Sequence, residues 1–503
     1  MAHNTSTRRD FLRWTSSLAA TVFGARFLQA GERSAASRPN IVVILADDLG
    51  WGSLNCYGAP KTLIRTPNCD RLAAEGIRFT DANTASSVCS PTRYALLTGR
   101  YCWRTSLQHE VLGTQAPLHI ETSRLNIASL LKKHGYRTAA VGKWHLGYGS
   151  SPKCDYTEEL TPGPLDIGFD YHFAVPSNHG DNVGVFIENR RVVGLRSNKL
   201  DPSKYGKTFY GRGSFLGLDA PQRVDEEVMD TLTRKAVAWL EQQEAATPFF
   251  LYFTPVAVHR PVTPSAKTKG GSAAGPYGDW IHELDASVGG ILGALDRKGL
   301  AKDTLVIFTS DNGGVIIESA QVDSPEGQAA KAGLAINGPW RARKHSVYQG
   351  GFRVPFIARW PDRIPAGVTS DETISLTDLL ATTAAIVGEP LPPRTQAAED
   401  SYNVLSALLG RKPDRPIRDA MVVHSADGNF AIRQGPWKWI EGKAHPDTTP
   451  GALKARAVEF QPQLYNLADD PAEKNDVLDK HPDVAKRLEA LLNTYRQQGY
   501  SRP

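Results

Sequence analysis

The first strongly patterned stretch is Asn40-Ile-Val-Val-Ile-Leu-Ala46, an unbroken apolar run of strand length that predicts a strand covered on both faces. Residues 248–254 and 304–309 read the same way, each after a long amphipathic helical segment. Residues 67–76 and 125–134 carry helical periodicity, and the second leads into a short strand at 137–141. A last helix is expected over 377–387, with Thr377 as its N-cap and Gly388 as its stop. Strands alternating with helices from Pro39 to Val387 predict an α/β fold, a large, mostly parallel sheet sandwiched by helices.

Periodicity weakens between residues 155 and 222, where Gly, Asn and Arg predict long loops and edge strands around a working face. Residues 270–278 read as a flexible turn. Near Lys412 the composition shifts, and Pro413 and Pro416 mark a boundary. Beyond it, short strands at 420–424, 430–433, 437–441 and 463–466 and a helix at 482–497 predict a small α+β unit with an antiparallel sheet. The expected division is 1–37, 38–412 and 413–503.

Charge adds little, since 58 basic against 53 acidic residues leave +5 spread along 503 positions. That gives no case for nucleic acid as a partner. No run is long and apolar enough for a membrane anchor. Thr7-Arg8-Arg9-Asp10-Phe11-Leu12-Arg13, before an apolar stretch broken by Arg26, resembles a twin-arginine signal. Its expected partner is the twin-arginine export machinery, delivering an already folded protein to the periplasm or outside the cell. Of five cysteines, Cys56, Cys69, Cys102 and Cys154 could form two disulfides or stay free.

The candidate chemistry centres on Cys89-Ser90-Pro91-Thr92-Arg93 and the following Leu97-Thr98-Gly99-Arg100. Ser90 is a preferred N-cap, Pro91 suits the first helical position, and Gly99 can end the helix. Cys89 would then sit at a helix N-terminus with Arg93 one turn on, as an activated thiol or something made from one. Four strand ends deliver further polar groups, namely Asp47-Asp48, Lys143-Trp144-His145, His259 and Asp311-Asn312. In open α/β sheets such ends form one ligand-binding rim. Asp47, Asp48, Asp311 and Asn312 are oxygen donors of the kind that suits Ca²⁺.

The Cys-x-Pro-x-Arg and Leu-Thr-Gly-Arg pattern resembles the signature of the type I sulfatases, in the arylsulfatase A and N-acetylgalactosamine-6-sulfatase branch of the alkaline phosphatase superfamily. Gly142-Lys143-Trp144-His145-Leu146-Gly147, His259-Arg260-Pro261, Asp311-Asn312-Gly313-Gly314 and the Lys344 segment before Gly350-Gly351-Phe352-Arg353-Val354-Pro355 extend the resemblance. It implies that Cys89 is oxidised to Cα-formylglycine by a formylglycine-generating or anaerobic sulfatase-maturing enzyme. It also implies Ca²⁺ on Asp47, Asp48, Asp311, Asn312 and the modified Cys89. Arg93 would then hold the formylglycine hydrate, Lys143 and Lys344 would bind sulfate, His259 would protonate the leaving alcohol, and His145 would act as base to regenerate the aldehyde. Gln349 departs from the family's glutamate.

A sulfated saccharide, of glycosaminoglycan or algal type, is the expected substrate. Asn178, His179 and Asp181 in the irregular insert, and His424 at the start of the last unit, are candidates to read its hydroxyls. The competing expectations are a phosphate or phosphonate monoester hydrolase of the same superfamily, a catalytically silent glycan-binding protein and a disulfide scaffold.

Overall fold

The main sheet begins with β1 (Asn40–Ala46), β2 (Ile77–Asn83), β3 (Arg137–Lys143), β4 (Tyr171–Val175), β5 (Ile187–Glu188) and β6 (Arg191–Val192). It continues with β7 (Phe249–Thr254), β8 (Thr304–Ser310), β9 (Arg353–Arg359), β10 (Val368–Ser370) and β11 (Ile374–Ser375). This is a computed structural model that describes residues 1, 38–204, 206–207, 214–316, 323–443 and 461–503. Pro39–Pro503 make one compact unit. The twin-arginine-like segment lies outside the described residues.

Every residue of β1 is buried, and its side chains alternate between two cores. Ile41, Val43 and Leu45 enter one core, while Val42, Ile44 and Ala46 enter the other. With no face toward water the strand needs no polar alternation, which is why it reads as a continuous apolar run. Helices Cys89–Thr98, Ile127–Lys133 and Leu379–Val387 cover the first side. Helices Pro67–Ala74, Val228–Glu241 and Gly275–Arg297 cover the second.

The strand order is β10-β2-β9-β8-β1-β7-β3-β4-β5-β6, with β11 also paired to β2, eleven strands in all. The central run β8-β1-β7-β3-β4 is parallel throughout. β9 runs antiparallel to both β2 and β8, so the sheet is mixed. The insert expected as loops and edge strands supplies β4 and the antiparallel pair β5 and β6 along that edge.

Two helix starts differ from expectation. Ser375, not Thr377, caps the turn before Leu379–Val387, accepting from Thr377 N while Asp378 accepts from Ser375 N at 2.8 Å. That reciprocal pair satisfies two orphan donors, which Thr377 alone would not. The turn expected to last to residue 278 ends at Gly275, because the buried Asp279 carboxylate accepts from Gly270 N and Ser272 N and fixes the helix entry.

A second sheet, β12 (Ala420–His424), β13 (Phe430–Gln434), β14 (Trp437–Ile440) and β15 (Gln463–Asn466), is antiparallel in that order. One face packs Val422, Ile432 and Trp439 against Leu488 and Leu492 of the helix Pro482–Gln498. The other packs Met421, Val423 and Ala431 against Val347 and Phe352 of the larger layer. No disulfide joins any of the five cysteines. Among the described residues no helix is long and apolar enough to cross a membrane.

Candidate active site

The parallel strands β8, β1, β7 and β3 finish side by side, with Ala46 level with Ser310 and Gly142 level with Thr254. Their carboxyl ends therefore deliver Asp47, Asp48, Lys143, His145, His259, Asp311 and Asn312 to one rim. Gly142 makes the β3 end possible. Its φ is +125°, and a Cβ there would lie 2.0 Å from the Thr254 carbonyl oxygen.

The Cys89 helix starts two residues earlier than expected. Val88 is extended (φ −144°, ψ 159°), Cys89 is the first helical residue, and no side chain caps the turn. Ser90 does other work, donating to His145 O at 3.0 Å and accepting from Leu112 N at 3.1 Å. Pro91 still falls in the first turn, where its missing N–H costs nothing. Gly99 ends the helix with φ +64°, as expected. All ten residues of the helix are buried.

Around the Cys89 sulfur stand three cations and three carboxylates. Lys143 Nζ lies 3.2 Å from Cys89 Sγ and 2.9 Å from both oxygens of Asp47. Lys344 Nζ is 3.6 Å from the sulfur and pairs with Asp48 at 2.7 Å. Arg93 grips Asp311 Oδ2 through Nε and Nη2 at 3.1 and 2.7 Å, and its Nη1 donates to Lys143 O at 2.9 Å. Asp311 Oδ1 accepts from Asp48 N, and Asn312 Nδ2 donates to Asp48 Oδ1 at 2.8 Å. Asp48 (φ +60°) and His145 (φ +56°) hold left-handed backbone, a strain that concentrates at functional sites.

Burial pushes the Asp47 carboxyl up, to about 7, against Lys143 and with help from Asp311. At Asp48 burial also pushes upward, but Lys344, His259 and Lys143 outweigh it and hold that carboxyl well below the usual range. Burial, then Asp311, pushes the Cys89 thiol up to about 12, so the encoded side chain is a protonated thiol and a poor nucleophile. Burial disfavours charge on Lys344 and Arg93, yet the surrounding carboxylates more than reverse it. Both histidines are held well below the usual imidazole value by burial, and next by Lys143 at His145 and Lys344 at His259.

Each histidine has one ring nitrogen tied to a main-chain carbonyl. His145 Nε2 lies 3.0 Å from Leu112 O, which sets Nε2–H and leaves Nδ1 as a buried acceptor with no partner among the described residues. His259 Nδ1 is tied to Arg260 O at 2.5 Å, and its Nε2 faces Asp48 Oδ2 at 3.7 Å. The Ser90 and Leu112 contacts to His145 carry no residue-type signal that the sequence alone could have offered.

The remaining candidates separate. Asp181 accepts from Ser177 N, Val183 N, Gly184 N and Arg223, which ties its carboxylate into its own loop. His179 binds Thr263 Oγ1 at 2.7 Å and lies against Trp280, whose Nε1 donates to His259 O, so this loop adjoins the rim. Asn178 Oδ1 and His179 Nδ1 have no partner among the described residues. His424 is buried with its ring against Phe430. Its neighbour Ser425 instead lines a cavity of about 450 Å³, together with Arg343, Lys344, His345, Asp427 and Asn429. Gln349 is buried, and its amide atoms have no partner among the described residues.

Asp47, Asp48, Cys89 and His259 offer ligand atoms all within 4.8 Å of one another. Asn312 Oδ1 adds a buried oxygen without a partner among the described residues. Carboxylate and amide oxygens in a buried setting fit a hard divalent cation.

A family model described as sulfatase matches residues 39–389. The chain is 36% identical to an N-acetylgalactosamine-6-O-sulfatase of Bacteroides thetaiotaomicron, over 91% of this chain and 93% of that protein. It is 34% identical to human arylsulfatase A, over 90% and 87%. A solved Bacteroides thetaiotaomicron chain from a glycosaminoglycan-metabolising locus superposes with TM-score 0.81 at 35% identity, covering 92% of this chain and 100% of that one. A phosphonate monoester hydrolase of Agrobacterium radiobacter, with TM-score 0.58 and 18% identity over 92% and 96%, shares the fold alone. With the family match spanning most of the chain and the cation-ringed Cys89 lying inside it, this protein belongs to the sulfatases, enzymes that hydrolyse sulfate esters.

Proposed function

We propose that the enzyme removes sulfate from a sulfated carbohydrate, with N-acetylgalactosamine 6-sulfate as the favoured unit and Cys89 as the position of the nucleophile. The observation that carries this reading is the ring of Lys143, Lys344 and Arg93 around Cys89 at the ends of adjacent strands. A relative 36% identical to this chain is by its name an N-acetylgalactosamine-6-O-sulfatase. The polar cavity beside Lys344 offers the sugar ring a berth.

Oxidation of Cys89 to Cα-formylglycine would supply an aldehyde hydrate as nucleophile, and Ca²⁺ held by Asp47, Asp48, Asp311 and Asn312 would withdraw charge from the sulfuryl group. The residues of the chain do the rest. Lys143 and Lys344 neutralise sulfate oxygens, and Arg93 fixes Asp311 and the Lys143 carbonyl so that neither drifts. These fixed cations act where water is excluded, and losing one such donor typically costs about 10²–10³ in turnover. His259 Nε2 faces the rim and delivers a proton to the departing oxygen. A neutral imidazole tied through Nδ1 has no Nε2 proton to give, so the incoming anionic ester must raise the His259 pKa first. His145 Nδ1, buried and without a partner among the described residues, takes the proton that frees sulfate. Maturation by a formylglycine-generating or anaerobic sulfatase-maturing enzyme, and export through the twin-arginine machinery, complete the reading.

The test compares turnover of 4-nitrophenyl sulfate, 4-nitrophenyl phosphate and N-acetylgalactosamine 6-sulfate, with the mass of the Cys89 tryptic peptide read in parallel. Sulfate ester turnover with the peptide at the aldehyde mass is expected. Preference for phosphate, or an unmodified thiol in a fully active sample, would refute it.

A further inference from the structure

Lys344 sits in a loop whose backbone is left-handed on either side, at Ala342 (φ +63°) and His345 (φ +76°). Such a path persists only where the surroundings over-determine it. The main layer holds it through Lys344 N to Gly314 O at 3.1 Å and Asn337 Nδ2 to Ala342 O at 3.0 Å. The second sheet holds it through a buried ion pair, Lys438 of β14 with Glu473 just beyond β15. Lys438 Nζ also donates to Val347 O at 2.7 Å, three residues past Lys344. The other Glu473 oxygen accepts from Gln349 N at 2.6 Å, and the Glu473 carbonyl accepts from Arg341 Nη1. The ion pair thus grips the loop after Lys344, at Val347 and Gln349, while the Glu473 main chain holds Arg341 before it. Both members are buried, and Glu473 itself is held at φ +54°.

Stability alone gives no reason for that pair, because apolar groups of like volume serve a buried position as well or better. We propose that Lys438 and Glu473 are positioning residues for Lys344, by which the second sheet sets the place of a sulfate-binding ammonium near Cys89. The proposal rests on the reading that Lys344 acts on the sulfuryl group. It makes the second sheet part of the catalytic apparatus through two buried residues that do not themselves touch substrate.

The test uses the matured full-length enzyme and 4-nitrophenyl sulfate. Lys438→Met/Glu473→Gln removes both charges together and so leaves neither stranded. Lys438→Arg keeps a charge in a shifted position, should the paired variant not fold. Each is made in the wild-type and Lys344→Ala backgrounds, with thermal unfolding followed alongside. The paired variant is expected to unfold cooperatively and to lose about 10-fold in kcat with KM nearly unchanged. Lys438→Arg is expected to lose about 3-fold. In the Lys344→Ala background both losses should shrink below about 2-fold, the signature of residues that act through one another. Unchanged kcat in a folded variant, or equal losses in both backgrounds, overturns the proposal. Full turnover in Lys344→Ala alone overturns instead the role of Lys344 on which it rests.

Discussion

In the proposed mechanism His145 and His259 divide the proton work, since each ties one ring nitrogen to a main-chain carbonyl and keeps the other clear of the main chain. Their loss should therefore show in different substrates. His259→Ala is expected to cut kcat about 10²–10⁴-fold on a sugar sulfate, whose alcohol needs a proton to leave, and far less on 4-nitrophenyl sulfate. His145→Ala should slow both substrates alike, and steady-state rates over the two leaving groups check this. At this scale the sequence was most informative where motifs name residue types, as in Gly-Lys-Trp-His-Leu-Gly. It was silent where a main-chain atom does the work, as Leu112 O does for His145. It misled at Ser90, whose hydroxyl tethers His145 and Leu112 instead of capping its own helix. Nothing in the type of Asp181 reveals that three backbone N–H groups and Arg223 bond to its oxygens.

The end of β3 shows how an element places chemistry. Gly142 lets the strand pass against Thr254 before Lys143 and His145 turn into the rim. Gly142→Ala puts a methyl 2.0 Å from the Thr254 carbonyl oxygen, so the strand end must shift. The expected cost is about 2–4 kcal/mol of stability and about 100-fold in kcat, read by chemical denaturation and by steady-state rates. Strands such as β1 and β12 were legible to the residue, because burial on both faces leaves a nearly unbroken apolar run. Helix starts were legible at Pro67 and Pro482 but not throughout. Asp378 beside Ser375, and Asp279 closing onto Gly270, act through side-chain bonds that periodicity does not encode.

Across the molecule, the parallel centre followed from alternating strands and helices, but the reversal at β9 did not. Arg353–Arg359 is as apolar and buried as its parallel neighbours, and strand direction leaves no trace in composition. The second sheet is gripped on both faces, by Pro482–Gln498 on one and by Val347 and Phe352 on the other. Trp439→Ala, on the helix-covered face, is expected to cost about 3–5 kcal/mol, seen as a lower Tm. Stripping divalent cations with a chelator should lower both turnover and Tm. Ca²⁺ at about 100 times its Kd should restore about 2.7 kcal/mol.

The rim holds three acids, Asp47, Asp48 and Asp311, against three bases, Arg93, Lys143 and Lys344, all shut away from solvent. Replacing one member leaves its opposite stranded in a dry interior, at about 3–5 kcal/mol. Heritable change at these positions is therefore locked into pairs of opposite sign. A lineage could drift freely over most of this surface, yet must cross a valley of unfit intermediates to alter any one of the six.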